Sequence, residues 1–460
     1  MVDLPSWLAG GSPAQLFVHG QDHAERALVL ARPQDVVCVG DEVEPAYLTY
    51  LAELGLGPRP GRVVAASRFG PTVSSNRALW ARLTESADAL RTLAALLKGS
   101  GGTRLHPYSA SGGEASLAAA LEVAADAEVR VAAADPGLVA FADQKHHIRA
   151  KAIELGIPVA AGETVTLPRA GGRRRRDYDA LRAAVERHLR QTGLAIVRGA
   201  KGASGTATFV VGGRGEDVDG LLRRLAHRDD NHVYLVEVLV TATVSPHVQL
   251  HVGPDGGPIT CVGVTDQRWE RPFVHGGNIF PTTGRSVDAM LEWSGRLARW
   301  LQAAGYSGLL GLDFVEYADP GTGELRTLLA EVHPRVDGAT YPLGILQRLN
   351  AAQRAAARPE SAAFVSGTLE LAPTTFATLR RAADRFFYSA RTARGMVPYQ
   401  VGRLGEGRCG VVMLGGSRDE VLRAYGELQT WCRQGRPPVR QVDTLARGPV
   451  ISGISRPGLP

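Results

Sequence analysis

Up to about residue 140 the chain alternates short apolar runs with longer mixed ones: DVVCVG, EPAYLTYLAELG, GRVVAAS, and later EASLAAALEVAAD before EVRVAAA. Strands that alternate with helices predict an open α/β unit. No GxGxxG follows a strand there, so the dinucleotide fingerprint is missing and the unit reads as a scaffold for its neighbours.

A second block opens near Asp143 with DQKHHIRAKAIELGIPV. It predicts a helix from Lys145 to Leu155, stopped by Gly156 and Pro158 and followed by an exiting strand. A strand, loop and strand unit, LAIVRGAKGASGTATFVV, comes after it, then VYLVEVLV, HVQLHVGPDGGPITCVGVTDQR and a helix across Met290 to Ala304. LLGLDFVEY and LRTLLAEVH predict a hairpin, because the Pro-Gly and Gly of ADPGTGE make a turn centred near Thr322. FVSGTLELAP, GRCGVVMLGG and the helical SRDEVLRAYGELQTWC predict a small α/β cap at the end. The expected units are 1–141, 142–350 and 351–460. No fixed-period repeat is visible, which excludes a solenoid.

Length and composition fit this division: 460 residues with 44% hydrophobic content are too many for one ordinary core. A formal charge of +6, from 52 basic and 46 acidic residues, is a mild excess spread along the chain and does not predict nucleic-acid binding. The run Arg173 to Arg176 enters a predicted helix, so its four side chains point in different directions and read as a solvated loop. Cys38, Cys261, Cys409 and Cys432 are far apart, without the paired spacing of zinc or dithiol sites. The first twenty residues hold neither a basic leader nor a long apolar stretch, and no window reaches about 18 apolar residues. A cytoplasmic setting with no membrane partner is expected.

LLAEVHPRVDGATYP, residues 328–342, is where charge gathers. Alternation sends Glu331, His333 and Arg335 to one face of the strand, away from Leu328, Ala330 and Val332. Asp313 and Glu331 each lie nine residues from the turn centre at Thr322. Opposed residues of an antiparallel pair share a face with Cβ atoms about 5 Å apart. Two like charges so close are unfavourable unless a cation lies between them, either a basic side chain such as Arg335 or a metal ion. Carboxylate oxygens suit Mg²⁺ shared with substrate phosphates, which requires a phosphate-binding element elsewhere.

VRGAKGASGTATFVV supplies a candidate. Gly199, Gly202 and Gly205, with Ala203 and Ser204 among them, let backbone amides approach phosphate oxygens, and Arg198 and Lys201 add positive charge. Such loops also occur as plain turns, and this one is no P-loop, because GxxxxGK[ST] is missing and a strand follows. A third segment, DQRWERPFVHGGNIFP at 266–281, mixes Arg268, Trp269, Phe273, His275 and Asn278 with Gly276 and Gly277. It reads as a substrate loop or as an ordinary glycine-containing connection.

The order of these elements resembles the ATP-grasp superfamily of carboxylate–amine ligases over roughly Asp143 to Asn350. The matching pieces are DQK at the start of a helix ending in GIP, VRGAKGASG for the family's VKP strand and flap, YLVEVLV for its hinge, and GLDFVEY with EVHPR for its acidic strand and EvNpR. The resemblance implies an ATP-grasp fold with an N-terminal open α/β pre-grasp domain and a C-terminal cap. It implies nucleotide contacts from Lys145, Arg198, Lys201, the flap Gly202 to Gly205, Glu237 and the backbone of Val238, Leu239 and Val240. Asp313, Glu331 and His333 would hold Mg²⁺, Arg335 would face the transferring phosphate and the oxyanion, and Arg268 would assist it. Three positions depart from the family: His333 for Asn, Arg198 for Lys, and a hinge without the ribose-binding Glu. Imidazole is a poor Mg²⁺ ligand, which makes Mn²⁺ the alternative ion or directs His333 to phosphate or substrate.

GASGTAT, FVHGGNIFP and VDGATYPLG are most similar to the pheganomycin-type peptide ligases. That likeness implies a modified amino acid joined through its carboxylate to a peptide amine by way of an acyl phosphate. Trp269, His275, Gly276, Gly277 and Asn278 would bind the substrates. It is compatible with a homodimer, and it implies no nucleic-acid partner. The competing readings are a ligase that uses a free amino acid or bicarbonate, and a non-catalytic ATP-binding module.

Overall fold

The computed structural model describes residues 15–18, 24–70, 78–100, 102–167, 178–202, 207–213, 215–227 and 231–435. Arg173 to Arg176 and the loop residues Ala203, Ser204 and Gly205 lie outside them.

Five parallel strands form the first sheet: β1 (Gln15–Val18), β2 (Val36–Val39), β3 (Val63–Ala65), β4 (Thr103–Pro107) and β5 (Val129–Val131), in the order β3-β2-β1-β4-β5. The strands are short, and β2 is apolar and buried at all four positions, as in a parallel sheet that carries helices on its faces, whereas β4 and β5 present Arg104 and Arg130 outward. This is the open α/β unit expected from the alternating pattern.

A second sheet is antiparallel and joins β6 (Gly162–Thr166), β7 (Leu194–Gly199), β8 (Thr208–Gly212) and β9 (Val233–Glu237) in the order β6-β9-β7-β8. The helix Asp179–Thr192 covers it with Leu181, Ala184 and Val185, at the spacing of one helical face.

The third sheet holds β10 (Pro246–Val252), β11 (Ile259–Arg271), β12 (Val274–Phe280), β13 (Gly308–Ala318), β14 (Leu325–His333), β15 (Ala363–Glu370), β16 (Gly395–Gln400) and β17 (Arg408–Gly415). Its order is β14-β13-β10-β11-β12-β15-β17-β16. Residues 351–435 therefore form no sheet of their own. β15 pairs with β12 through Ile279 and Val365, so the boundary expected at 350 falls inside one continuous sheet. Pairing with β12 removes an edge that a separate three-stranded cap would leave open.

The helix Val287–Ala303 packs Met290, Leu297 and Leu301 against Val248, Leu250, Leu312 and Phe314 on one face of this sheet. The helix Thr340–Ala355 packs into the core of the first sheet, where Arg348 Nη1 donates to the carbonyls of Leu30 (2.7 Å) and Ala31 (2.6 Å). The parallel sheet is thereby fastened to the sheet that carries the charged hairpin. Among the described residues no helix is long and apolar enough to cross a membrane.

Candidate active site

β13 and β14 pair with Asp313 directly opposite Glu331, as the count from the turn requires. The alternation along β14 differs from the sequence reading. The register shifts beside Asp313, so Phe314 pairs with Leu329 and Ala330 is left over. This bulge reverses the phase of the strand: Leu329 and Val332 enter the core, while Leu328 and Ala330 are only half-buried. The carbonyl of Ala330 accepts from Arg198 Nη1 at 2.9 Å, which joins β14 to the second sheet.

Asp313, Glu331 and His333 each present a ligand atom, and these atoms lie within 4.8 Å of one another. The helix Lys145–Glu154 begins beside them, its first backbone N–H donating to the carbonyl of Ala200 (3.1 Å) at the end of β7. From there the buried Lys145 side chain reaches Glu331 Oε1 at 2.8 Å and donates to the Gly202 carbonyl at 3.1 Å. One ammonium thus links the hairpin to the glycine-rich turn between β7 and β8. The helix ends with Gly156 at φ +67, the left-handed stop that the sequence predicts.

Two further side chains complete the cluster. His247 on β10 faces Asp313 across the sheet, with Nδ1 2.6 Å from Oδ1, and its Nε2 is 3.3 Å from Asp337 Oδ2. His333 Nε2 lies 3.0 Å from the other oxygen of Asp313. Burial alone would push the His247 imidazole down, but Asp337 and Asp313 overcome it and raise its pKa to about 10. Burial works against the charge of Asp313 as well, yet His333 and His247 hold its carboxyl well below the usual range. Sequence reasoning missed His247 and Asp337. The available signal was HVQLH, in which polar side chains occupy alternate positions of an otherwise apolar strand.

Arg335 lies past the end of β14, in the turn that follows. Its guanidinium is over the Tyr108 ring at 5.6 Å, donates to the Tyr108 hydroxyl at 3.3 Å and comes within 3.5 Å of His333 Nδ1. The backbone N–H of Val336 donates to the Tyr108 carbonyl (3.1 Å), so the end of β4 holds this turn in place.

The hinge residue Glu237 is 2% exposed and its carboxylate accepts from Arg149 Nη1 (2.9 Å) and from Arg198 Nε (2.9 Å) and Nη2 (2.6 Å). Arg198 and Glu237 therefore neutralise each other. Val238 donates its N–H to Ala161 (2.9 Å), and Leu239 and Val240 continue from it, half-buried. Lys201 is exposed, its backbone fixed by Asn231 through bonds of 2.7 and 2.9 Å.

Segment 266–281 is not a loop. It is the hairpin of β11 and β12, and its composition has structural causes. Gly277 has φ +137, and a Cβ there would lie 2.1 Å from the Ser366 carbonyl, so the missing side chain admits neighbouring β15. At Gly276 a Cβ would lie 2.9 Å from the Glu270 nitrogen. Asn278 is buried and bonded to Ser366 Oγ (2.8 Å), Thr265 (3.1 Å) and His275 (3.0 Å). Arg268 does not join the Arg335 group: it donates to the Ser366 carbonyl (2.8 Å) and stacks over Tyr425 of the helix Arg418–Gln434 at 4.8 Å. Trp269 remains 46% exposed near the hairpin end.

The donor set at Asp313, Glu331 and His333 fits a divalent cation, with carboxylate oxygens for a hard ion and an imidazole that suits a borderline one better. The Glu331 carboxylate is held by an ammonium and that of Asp313 by two imidazoles, so positive charge is already directed at this point.

Residues 24–123 match the family described as the Pre ATP-grasp domain. No curated protein matches the chain in sequence. Among solved structures, the ADP complex of PurK, an N5-carboxyaminoimidazole ribonucleotide synthetase, is 14% identical with a TM-score of 0.56 over 95% of this chain and 99% of that one. A biotin carboxylase complex with β,γ-ATP from Campylobacter jejuni is 14% identical, with a TM-score of 0.54 over 90% of each chain. N5-carboxyaminoimidazole synthetase from Staphylococcus aureus, complexed with ADP, is 11% identical, with a TM-score of 0.53 over 91% of this chain and 96% of that one. The chain has the ATP-grasp fold, with a pre-ATP-grasp domain in its N-terminal part.

Proposed function

We propose that the chain is an ATP-dependent, ADP-forming ligase that joins a carboxylate to an amine, the amine being the N-terminus of a peptide. The observation that carries the reading is the convergence of Lys145, Glu331, Asp313, His333 and Arg335 beside the glycine-rich turn, in a chain whose fold neighbours include nucleotide complexes. The peptide acceptor rests on the likeness to pheganomycin-type ligases and on the exposed Trp269, which offers an apolar contact away from the reacting atoms.

In this reading a carboxylate oxygen attacks the γ-phosphorus of ATP, the bond to the β-phosphate oxygen breaks, and ADP leaves. The amine then attacks the acyl carbon, phosphate departs and a proton is released. Lys145 places an ammonium between the glycine-rich turn and Glu331, where phosphate charge would gather. Asp313, Glu331 and His333 would hold a divalent cation, which when bound neutralises charge on the phosphates. Arg335, fixed by Tyr108, offers a permanently charged planar fork to the oxyanion that develops at the acyl carbon.

One observation favours a second reading. Protein groups already compensate both carboxylates, so the chain could retain ATP as a structural ligand without turning it over. ADP release with and without an amine separates the two: the ligase releases ADP when acid and amine are both supplied, and the module binds ATP and releases none.

A further inference from the structure

A cavity of about 400 Å³ runs along β4 and β5, from Arg104 near the amino end of β4 to the residues that follow both strands, against the sheet that carries the charged hairpin. Its part past the carboxyl ends of the two strands, lined by Tyr108 and Ala132, is where ligands of open α/β sheets gather. Arg335 lines this cavity too, so it is continuous with the residues assigned to the oxyanion. Among the described residues the lining carries three arginines, Arg104, Arg130 and Arg335, and one carboxylate, Asp255.

The placement of the first two is informative. Arg104 and Arg130 are register partners on neighbouring strands, both exposed. Like charges in that position repel. Glu128 partners Arg130 at 2.5 Å, and Arg104 adds a second guanidinium beside it. The histidines of the lining do not supply the charge. Burial, with Arg104 adding to it, pushes His106 down to about 3, and burial pushes His251 down to about 4. At neutral pH both are uncharged, and the positive potential comes from the arginines.

We propose that this cavity receives the carboxylate substrate, with its reacting group toward Arg335 and a second anionic group, a carboxylate or a phosphate, held by Arg104 and Arg130. The inference rests on the ligase reading for the direction in which the substrate lies. It names the substrate class: a small acid with two anionic ends, not a monocarboxylate.

The test is isothermal titration of the full chain, saturated with ADP so that the nucleotide's phosphate contacts are taken. The probes are acetate, succinate and phosphonoacetate at millimolar concentration. Succinate or phosphonoacetate should bind roughly tenfold tighter than acetate, as expected for one added charge-assisted contact. Arg104→Ala should abolish that preference and Arg104→Lys should keep most of it. The tighter of the two dianions identifies the second group as carboxylate or phosphate. Dianions that bind no better than acetate, or not at all, overturn the proposal, as does a preference that survives in Arg104→Ala. Binding of ADP is read first and separately. Its failure counts against the ligase reading, while a dianion preference that depends on Arg104 would still establish the anion pocket.

Discussion

His247 and His251 stand four residues apart on the same strand and have opposite fates. His247 sits between Asp313 and Asp337, and against the effect of burial its pKa rises to about 10. His251 faces the cavity along β4 and β5, and burial drives its pKa down to about 4. One imidazole is a cation that completes a charged cluster. The other is a neutral wall of a pocket whose charge comes from arginines. The lesson is that the polar row along β10 serves two sites with different electrostatic rules, and each rule can be broken by itself.

The largest effect is expected at His247. Replacing it by leucine leaves Asp313 and Asp337 without their shared cation and should cost about 3–5 kcal/mol of stability. His251→Leu, which removes only a neutral ring, should change stability by less than about 1.5 kcal/mol. Urea unfolding of both variants checks this, and similar losses would mean that the two environments do not differ as described.

Next in size is Glu331→Gln. It keeps the volume and removes the charge that Lys145 and a cation share, so ADP release should fall on the order of 100-fold, with a smaller loss of stability because the buried Lys145 ammonium loses its ion-pair partner but keeps the Gly202 carbonyl. Near-normal turnover in a folded variant would make Glu331 a structural residue.

The pH dependence of stability should carry both signs. The folded pKa of His251 lies below the ordinary 6.5, so the unfolded chain takes up the proton first. The stability due to the neutral ring is present above about 6.5 and lost as pH falls toward 4, by up to ~1.4 kcal/mol per pH unit. For His247 the folded pKa lies above 6.5, so its contribution is complete below that value and lost as pH rises through about 10. Unfolding midpoints across this range should show that His251→Leu flattens the acid limb and leaves the alkaline one. An unchanged acid limb would show that His251 is not buried as a neutral ring.

The smallest effect concerns His333, whose imidazole lies 3.0 Å from Asp313 Oδ2. His333→Asn should keep or improve turnover with Mg²⁺, because an amide oxygen suits that ion, and His333→Leu should lower it several-fold. Equal rates for the two variants would separate His333 from the cation.

The site was legible in the sequence where the physics is local. The Asp313–Glu331 pair follows from counting back from one tight turn, and the stop of the Lys145 helix follows from Gly156. The bulge at Ala330 was not legible, because a register shift is decided by both strands at once. His247 and Asp337 were hidden for a related reason: their partner lies on another strand, and no spacing along the chain brings them together. The glycines of β12 look like a loop for a ligand until β15 is seen against them. The last strands read as a separate cap because the pairing of β12 with β15 is non-local.

The most direct test of the central claim is the identity of the nucleotide product. The protein is incubated with ATP, Mg²⁺, a panel of small acids and acceptors from a single amino acid to a hexapeptide, and condensation products are read by mass spectrometry together with the nucleotide. The expected result is an amide accompanied by ADP and phosphate in equal amounts, formed best with a peptide acceptor. An amide accompanied by AMP and pyrophosphate, or ATP that binds and is never consumed with any pair, would contradict it.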